Sequence, residues 1–317
     1  MNWIDEIEKA TGRLGNDILR TPMFPSTYLS AMNEGEVFLK LESEQHTGSF
    51  KARGALNKIR SMSAQERDAG MITASTGNHA QGFARAVTLT GGKGTIYLPT
   101  TASPAKVDAL GYYPVELEFF GDHALDTELH AKAKAEELGK TWLSPYNDAM
   151  VIAGQGTVGV EMLEQCADLD YIFACIGGGG MIAGLAAWVK HHSPKTKIIG
   201  CLPERSPEMA LSVEKGEVVV LDEALDTLSD GSAGGLETDS ITFAMCQELV
   251  DEYVLISEEE IAEAIRFMAH KHHKIIEGAA GVAIAAFTRD AAKYQGAKVG
   301  IVVCGANISI DKLNSLL

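Results

Sequence analysis

The chain predicts an α/β fold of two open, twisted, mostly parallel sheets with helices on their faces, arranged as two domains around a cleft. Three observations predict it. Short apolar runs alternate with helix-like segments along nearly the whole chain, the pattern of strand–helix–strand units. Most of these runs are continuously apolar, as strands buried on both faces are. The 317 residues, 46% hydrophobic and 22% charged, suit one large or two ordinary globular domains.

Taken in order, the N-terminal "MNWIDEIEKATGRLGND" reads as an acidic amphipathic segment without the basic-then-apolar layout of a signal peptide. The run "EVFLKLE" reads as a strand and leads into "QHTGSFKARGA", residues 45–55. Then come "MITAS" (71–75), a helix from Asn78 to about Leu89, and the strand "KGTIYLP" (93–99). Pro104 suits the first turn of the next helix. "VELEFFG" (115–121), a helix over about 124–138 and "TWLSP" complete a four-strand block.

A second block opens with the helix "GTVGVEMLEQC" and continues with "YIFACIG" (171–177), a helix from Met181 to about His191, and "TKIIGCLP" (196–203). After a looser stretch come "EYVLIS", helices over about 258–273 and 278–290, and the strand "KVGIVVCG" (298–305). The Gly- and Ser-rich segment 225–243 reads as a long loop of the kind that is often functional.

Charge and composition exclude whole classes. A net charge of −16 and a pI near 5.0 argue against nucleic acid or an anionic membrane surface as partner. No run of 18 apolar residues predicts a membrane span. Five scattered cysteines without a C-x-x-C pair fit free thiols in a reducing cytoplasm.

Several strand-to-helix junctions carry residues suited to chemistry. Gly177, Gly178, Gly179 and Gly180 stand between a strand and a helix. Glycine admits positive φ and close approach, and a helix start offers free N–H donors and partial positive charge, so this reads as a phosphate cup, with a tight strand–helix turn as the other reading. Its spacing is neither G-x-G-x-x-G nor a P-loop, which favours a small phosphorylated ligand over a nucleotide. Ser75, Thr76, Gly77 and Asn78 gather donors for a carboxylate at a second such turn, and Asn78 and His79 also read as helix caps. "SPYNDAMVIAGQGT" (144–157) is a third polar junction, and Cys304 ends the last strand. Ligands of open α/β sheets bind outside the carboxyl ends of the strands. For "TGSFKARGA" two readings stay open: Ser49 as an N-cap with Lys51 solvated in the first turn, or Lys51 aimed inward. The group "HKHHK" (270–274) sits at a helix C-terminus, where cations complement the dipole, so a metal is not expected there.

Taken together, six stretches resemble one family in order and spacing: "TGSFKARGA", "STGNHAQG", "VIAGQGTVGVE", "GGGGMIAGL", "IEGAAGVAIAA" and "CGAN". The chain resembles the fold-type II pyridoxal-phosphate enzymes, in their serine/threonine dehydratase and serine racemase branch, over essentially its whole length. The resemblance implies a tryptophan synthase beta-like architecture with pyridoxal 5'-phosphate in the interdomain cleft. Residues 62–147 would form a small domain inserted into a large one made of 1–61 and 148–317. It implies Lys51 as the lysine that holds the cofactor aldehyde, Phe50 beside the ring, and Asn78 on the ring hydroxyl. Gly177 to Gly180 and Met181 would bind the phosphate, and Cys304 would face the pyridine nitrogen. Ser75, Asn78 and His79 would hold the substrate carboxylate within the turn that also includes Thr76 and Gly77. Glu277 and Gly231 would lie near the substrate end.

The implied activity is an ammonia-lyase acting on a β-hydroxy amino acid, with L-threonine and L-serine leading. A neutral thiol facing the ring nitrogen would favour elimination over transamination. Thr76 stands where racemases of this branch carry a serine base, which keeps amino-acid racemisation as the alternative. Other candidate substrates are 3-hydroxyaspartate, phenylserine and a hydroxyectoine breakdown product. Racemase-like members bind a divalent cation after the strand matching "IIGCLP"; here Leu202 replaces the expected acid although Glu208 is suitably placed, so no magnesium or calcium site is expected. The end at Leu317 leaves out the regulatory domain of allosteric threonine deaminases, which points to a catabolic-type enzyme. A homodimer is usual for the family.

Overall fold

The structure is a computed structural model that describes residues 1–221 and 225–317. Among the described residues, ten strands build two sheets. The strands are β1 (Met23–Pro25), β2 (Glu36–Leu41), β3 (Met71–Ala74), β4 (Gly94–Leu98), β5 (Glu116–Phe119), β6 (Thr141–Trp142), β7 (Tyr171–Cys175), β8 (Lys197–Pro203), β9 (Glu252–Ile256) and β10 (Lys298–Val303). The larger sheet runs β1-β2-β10-β7-β8-β9 and the smaller β5-β4-β3-β6. All pairings are parallel except β1 with β2. The strand–helix alternation of the sequence thus becomes two parallel sheets, and the smaller is made wholly within 71–142.

Each sheet has its own apolar core. Around the larger one, Phe173 packs edge-on against both Phe287 and Tyr294. Around the smaller, Phe83, Val87, Ile96, Leu98 and Leu143 are buried. The helix Lys51–Ser61 contributes Ala52, Ala55, Leu56 and Ile59 to that smaller core. Burying such side chains stabilises the fold by roughly 1.5–3 kcal/mol each. This helix therefore packs on the smaller core and carries Lys51 at its start.

Three local readings change. "VIAGQGT" is no junction: it lies inside the 17-residue helix Ala149–Gln165, and the turn ends at Asp148, whose Oδ1 caps the Met150 and Val151 N–H groups at 2.8 and 3.1 Å. Its glycines serve packing, since a Cβ on Gly154 would meet Gly54 Cα at 2.7 Å and one on Gly156 would meet Ile7. The helix from Glu258 stops at Phe267 and runs through a π-turn, Met268–His272, to His273 at φ 54°. There His272 bonds Ser26 Oγ at 3.1 Å and packs among Phe24, Tyr28 and Phe267. The loop over 225–243 ends in a helix that begins at Ile241.

Candidate active site

Lys51 opens its helix behind Phe50, which is already helical and makes no side-chain cap. Ser49 is not the cap either. Its backbone bridges Gly305, and its buried Oγ has no hydrogen-bond partner among the described residues. Gly48 takes φ 69°, the left-handed region open to glycine, against the Asn307 side chain. Phe50 N donates to Cys304 O at 3.2 Å and Ala306 N to Gly48 O at 2.9 Å. The Lys51 turn is thus stitched to the carboxyl end of β10.

From there Lys51 faces a cleft. Phe50, Asn78, Met181, Gly231, Glu277 and Cys304 line it, together with all four glycines 177–180. The amine donates to Pro145 O at 2.8 Å and lies 5.2 Å from the Phe50 ring centroid. Burial lowers the Lys51 pKa to about 8, with the carboxylates of Glu277 and Glu128 pulling the other way. An amine so poised is partly free of its proton near neutral pH.

The glycine turn joins β7 to the helix Gly180–His192. Gly179 adopts φ 83°. A Cβ on Gly178 would overlap the Tyr146 ring, and one on Gly177 would stand 2.6 Å from Ser232 O. Thr242 Oγ1 donates to Gly178 O at 2.6 Å and so ties the turn to the helix that begins at Ile241. Such a helix start gathers unpaired N–H donors for an anion. The set fits a flat aromatic aldehyde bearing a phosphate: a glycine cradle for the phosphate, a phenyl ring beside the plane, and a primary amine for the aldehyde.

Asn78 and Glu277 form a polar wall. Asn78 Nδ2 lies 2.8 and 2.9 Å from the two Glu277 oxygens. Burial raises the Glu277 pKa to about 7, partly offset by the Asn78 hydrogen bond. Cys304 is a buried thiol pushed well above its ordinary pKa by desolvation, and Cys175, pushed up to about 12, also lines the cleft.

Ser75, Thr76, Gly77 and His79 belong to the turn from β3 into the helix Asn78–Thr90, next to the cleft-lining Asn78. Ser75 Oγ accepts from Gly77 N at 3.2 Å. The His79 ring is turned away into the sheet, with Nε2 at 3.0 Å from Thr73 Oγ1, and burial lowers its pKa to about 3. Its imidazole is thus committed to the core, and a substrate role is left only to its backbone N–H. Glu208 accepts from Ser206 Oγ at 2.6 Å. Among the described residues no cluster of three or more His, Cys, Asp or Glu could hold a metal.

Sequence reasoning missed Pro145, Tyr146, Ser232, Thr242 and Asn307. Tyr146 backs the glycine turn, and its hydroxyl accepts from Glu237 N at 2.8 Å. "SPYND" did mark a polar junction; which of its atoms would face Lys51 depends on a turn between lobes. Arg53, two residues after Lys51, is fully buried at 1% exposure. It bonds Glu42 at 2.7 and 2.8 Å and Glu161 at 2.6 and 2.9 Å.

Known proteins agree with this geometry. A family model described as "Pyridoxal-phosphate dependent enzyme" matches residues 15–305. An L-threonine ammonia-lyase of Thermotoga maritima is 37% identical over 320 aligned residues, covering 100% of this chain and 78% of its own length. The processed form of threonine deaminase isoform 2 from Solanum lycopersicum superposes with a TM-score of 0.93 at 34% identity, covering 99% of this chain and 91% of that one. Maize serine racemase superposes with a TM-score of 0.92 at 30% identity, covering 98% and 95%. With its glycine cradle and buried lysine on one cleft, the chain belongs to the pyridoxal-phosphate dependent enzyme family.

Proposed function

We propose that the protein is a pyridoxal-phosphate lyase that removes water and then ammonia from L-threonine or L-serine, leaving the 2-oxo acid. One observation carries the reading: a buried amine, Lys51 Nζ, with its pKa drawn down to about 8, faces the glycine cradle across a single cleft. When bound, pyridoxal phosphate supplies the electron sink that acidifies the substrate Cα–H.

The rest is the work of this chain. Gly177 to Gly180 and Met181 would hold the phosphate through backbone N–H groups, and Phe50 would flank the ring. Lys51 Nζ would take the Cα proton of the substrate, and its hydrogen bond to the Pro145 carbonyl marks where the free amine rests. The helix start at Asn78 collects free N–H donors for the substrate carboxylate, with Ser75, Thr76, Gly77 and the His79 backbone around it. Gly231, 3.5 Å from Glu277 Oε1 when given a Cβ, leaves room for the substrate side chain. Cys304 stays a neutral thiol and offers no carboxylate at the end of β10, which supports elimination over transamination.

A small domain over 62–147, a homodimer and a reducing compartment for the five free cysteines go with this reading. Among the described residues no helix is long and apolar enough to cross a membrane. A panel of β-hydroxy amino acids scored for 2-oxo acid release tests the reading. Release from threonine or serine is expected, and a protein active only on 3-hydroxyaspartate or phenylserine would move the substrate. Racemisation is the second reading, favoured by the Thr76 hydroxyl and the likeness to a serine racemase. Thr76→Ala separates the two, since it removes D-serine formation from L-serine and spares pyruvate release if Thr76 is the opposed base.

A further inference from the structure

Glu277 stands at the start of the helix Gly278–Arg289, yet its carboxylate caps nothing there. It turns instead across the cleft wall to Asn78 on the other lobe. We propose that Glu277 is a positioning residue that sets the orientation of the Asn78 amide, through a hydrogen-bonded hub completed by Asn307.

The geometry of the hub leaves the amide one sense. Asn78 Nδ2 donates to both Glu277 oxygens, at 2.8 and 2.9 Å. Asn78 Oδ1 accepts from Asn307 Nδ2 at 2.6 Å. Asn307 Nδ2 also donates to Thr47 O at 2.8 Å, and Asn307 N donates to Glu277 Oε2 at 3.1 Å. Flipping the Asn78 amide would set an oxygen against a carboxylate and an N–H against an N–H, so the carboxylate fixes which atom faces the cleft. Gly305 and Gly231 keep the space around it: a Cβ on Gly305 would overlap the carboxylate.

The hub also joins three chain segments: the Lys51 turn at Thr47, the 75–78 turn, and the end of β10. All the hydrogen-bond donors to Glu277 are neutral amides. The charged and titratable groups that face it are Asp230 from the loop, Lys51 from its helix, and the thiols Cys304 and Cys175. Asp230 opposes ionisation and Lys51 favours it, and burial dominates. Burial thus raises the Glu277 pKa to about 7, and protonating its carboxyl would remove an acceptor from Asn78 Nδ2.

The inference rests on the cofactor reading above, in which Asn78 meets the ring hydroxyl. The test uses the loaded enzyme. Glu277→Gln and Asn307→Ala are compared with wild type for the absorption band of bound pyridoxal phosphate between pH 5.5 and 9, and for its dissociation constant by fluorescence. Wild type is expected to show a band shift with a midpoint near pH 7. Glu277→Gln should lose that shift and bind about tenfold more weakly, the scale of one charge-assisted hydrogen bond. Asn307→Ala should weaken binding while keeping a displaced titration. A Glu277→Gln enzyme with the wild-type band, pH profile and dissociation constant overturns the proposal. If that variant does not fold, an unchanged band and affinity in Asn307→Ala overturns it instead. Wild-type protein that takes up no pyridoxal phosphate shows no band at all, and that result overturns the underlying reading rather than the hub alone.

Discussion

Lys51 and Arg53 are two cations two residues apart on one helix, and their surroundings are opposites. Arg53 is clamped by Glu42 and Glu161, which with Lys40, Thr157 and Gln165 form a buried network behind the helix. Lys51 has a backbone carbonyl and an aromatic ring, and makes no ion pair among the described residues. The consequence runs in opposite directions: paired carboxylates raise the Arg53 pKa, while burial without a partner lowers that of Lys51. A buried charge that is matched becomes part of the frame. One left unmatched becomes a reactive amine.

The largest effects should come from breaking each cation in turn. Lys51→Ala is expected to fold, since its amine supports no other side chain, and to lose at least about 10³-fold in 2-oxo acid release. An active Lys51→Ala protein would remove the mechanism. Arg53→Ala should do the reverse. It strands Glu42, fully buried, with no guanidinium, and breaking such a pair costs about 3–5 kcal/mol. Urea unfolding should show that loss, while any folded fraction keeps a working Lys51. A stable but inactive Arg53→Ala protein would contradict the division of labour.

A smaller effect sharpens the chemistry side. Gly178→Ala places a methyl against the Tyr146 ring, whose Cγ, Cδ1 and Cδ2 all crowd that position. Either Tyr146 gives way or the turn opens, and the phosphate cradle deforms. Cofactor affinity should fall about tenfold to a hundredfold with little change in unfolding, read by fluorescence titration. Gly177→Ala meets backbone rather than a side chain and should be the worse of the two.

Much of this was legible in the sequence, and the reasons for the gaps are physical. Strand–helix alternation and the four glycines after β7 are local signals, and the structure follows them. The three residues of β1 are too few to show a period, and its antiparallel pairing is a tertiary fact. The glycines of "VIAGQGT" look like a turn because glycine signals both turns and close helix contacts; only the neighbour Gly54 tells them apart. The burial of Arg53 has no local signal, because its partners, Glu42 and Glu161, lie 11 and 108 residues away. The Asn78–Glu277–Asn307 hub spans the chain in the same way, so no window of sequence contains it.

The subtlest contrast between the two cations is in their pH dependence. The Lys51 pKa is depressed from 10.5 to about 8 in the folded protein. A depressed amine contributes stability that is present above the unfolded pKa and lost as pH falls through the folded one. The cofactor-free protein should therefore gain stability from this group as pH rises from about 8 to 10.5. Lys51→Met removes the group, so its advantage over wild type at pH 7.5 should shrink toward pH 10. Because the side chain still meets solvent on its cleft side, the change should be about 1 kcal/mol, visible as a converging pair of melting curves. Arg53 keeps its charge throughout that range, so Arg53→Lys against wild type should show a gap that stays parallel from pH 7.5 to 9. Melting curves for Lys51→Met that run parallel to wild type would mean that Lys51 is not held out of water, and the comparison between the two cations would lose its basis.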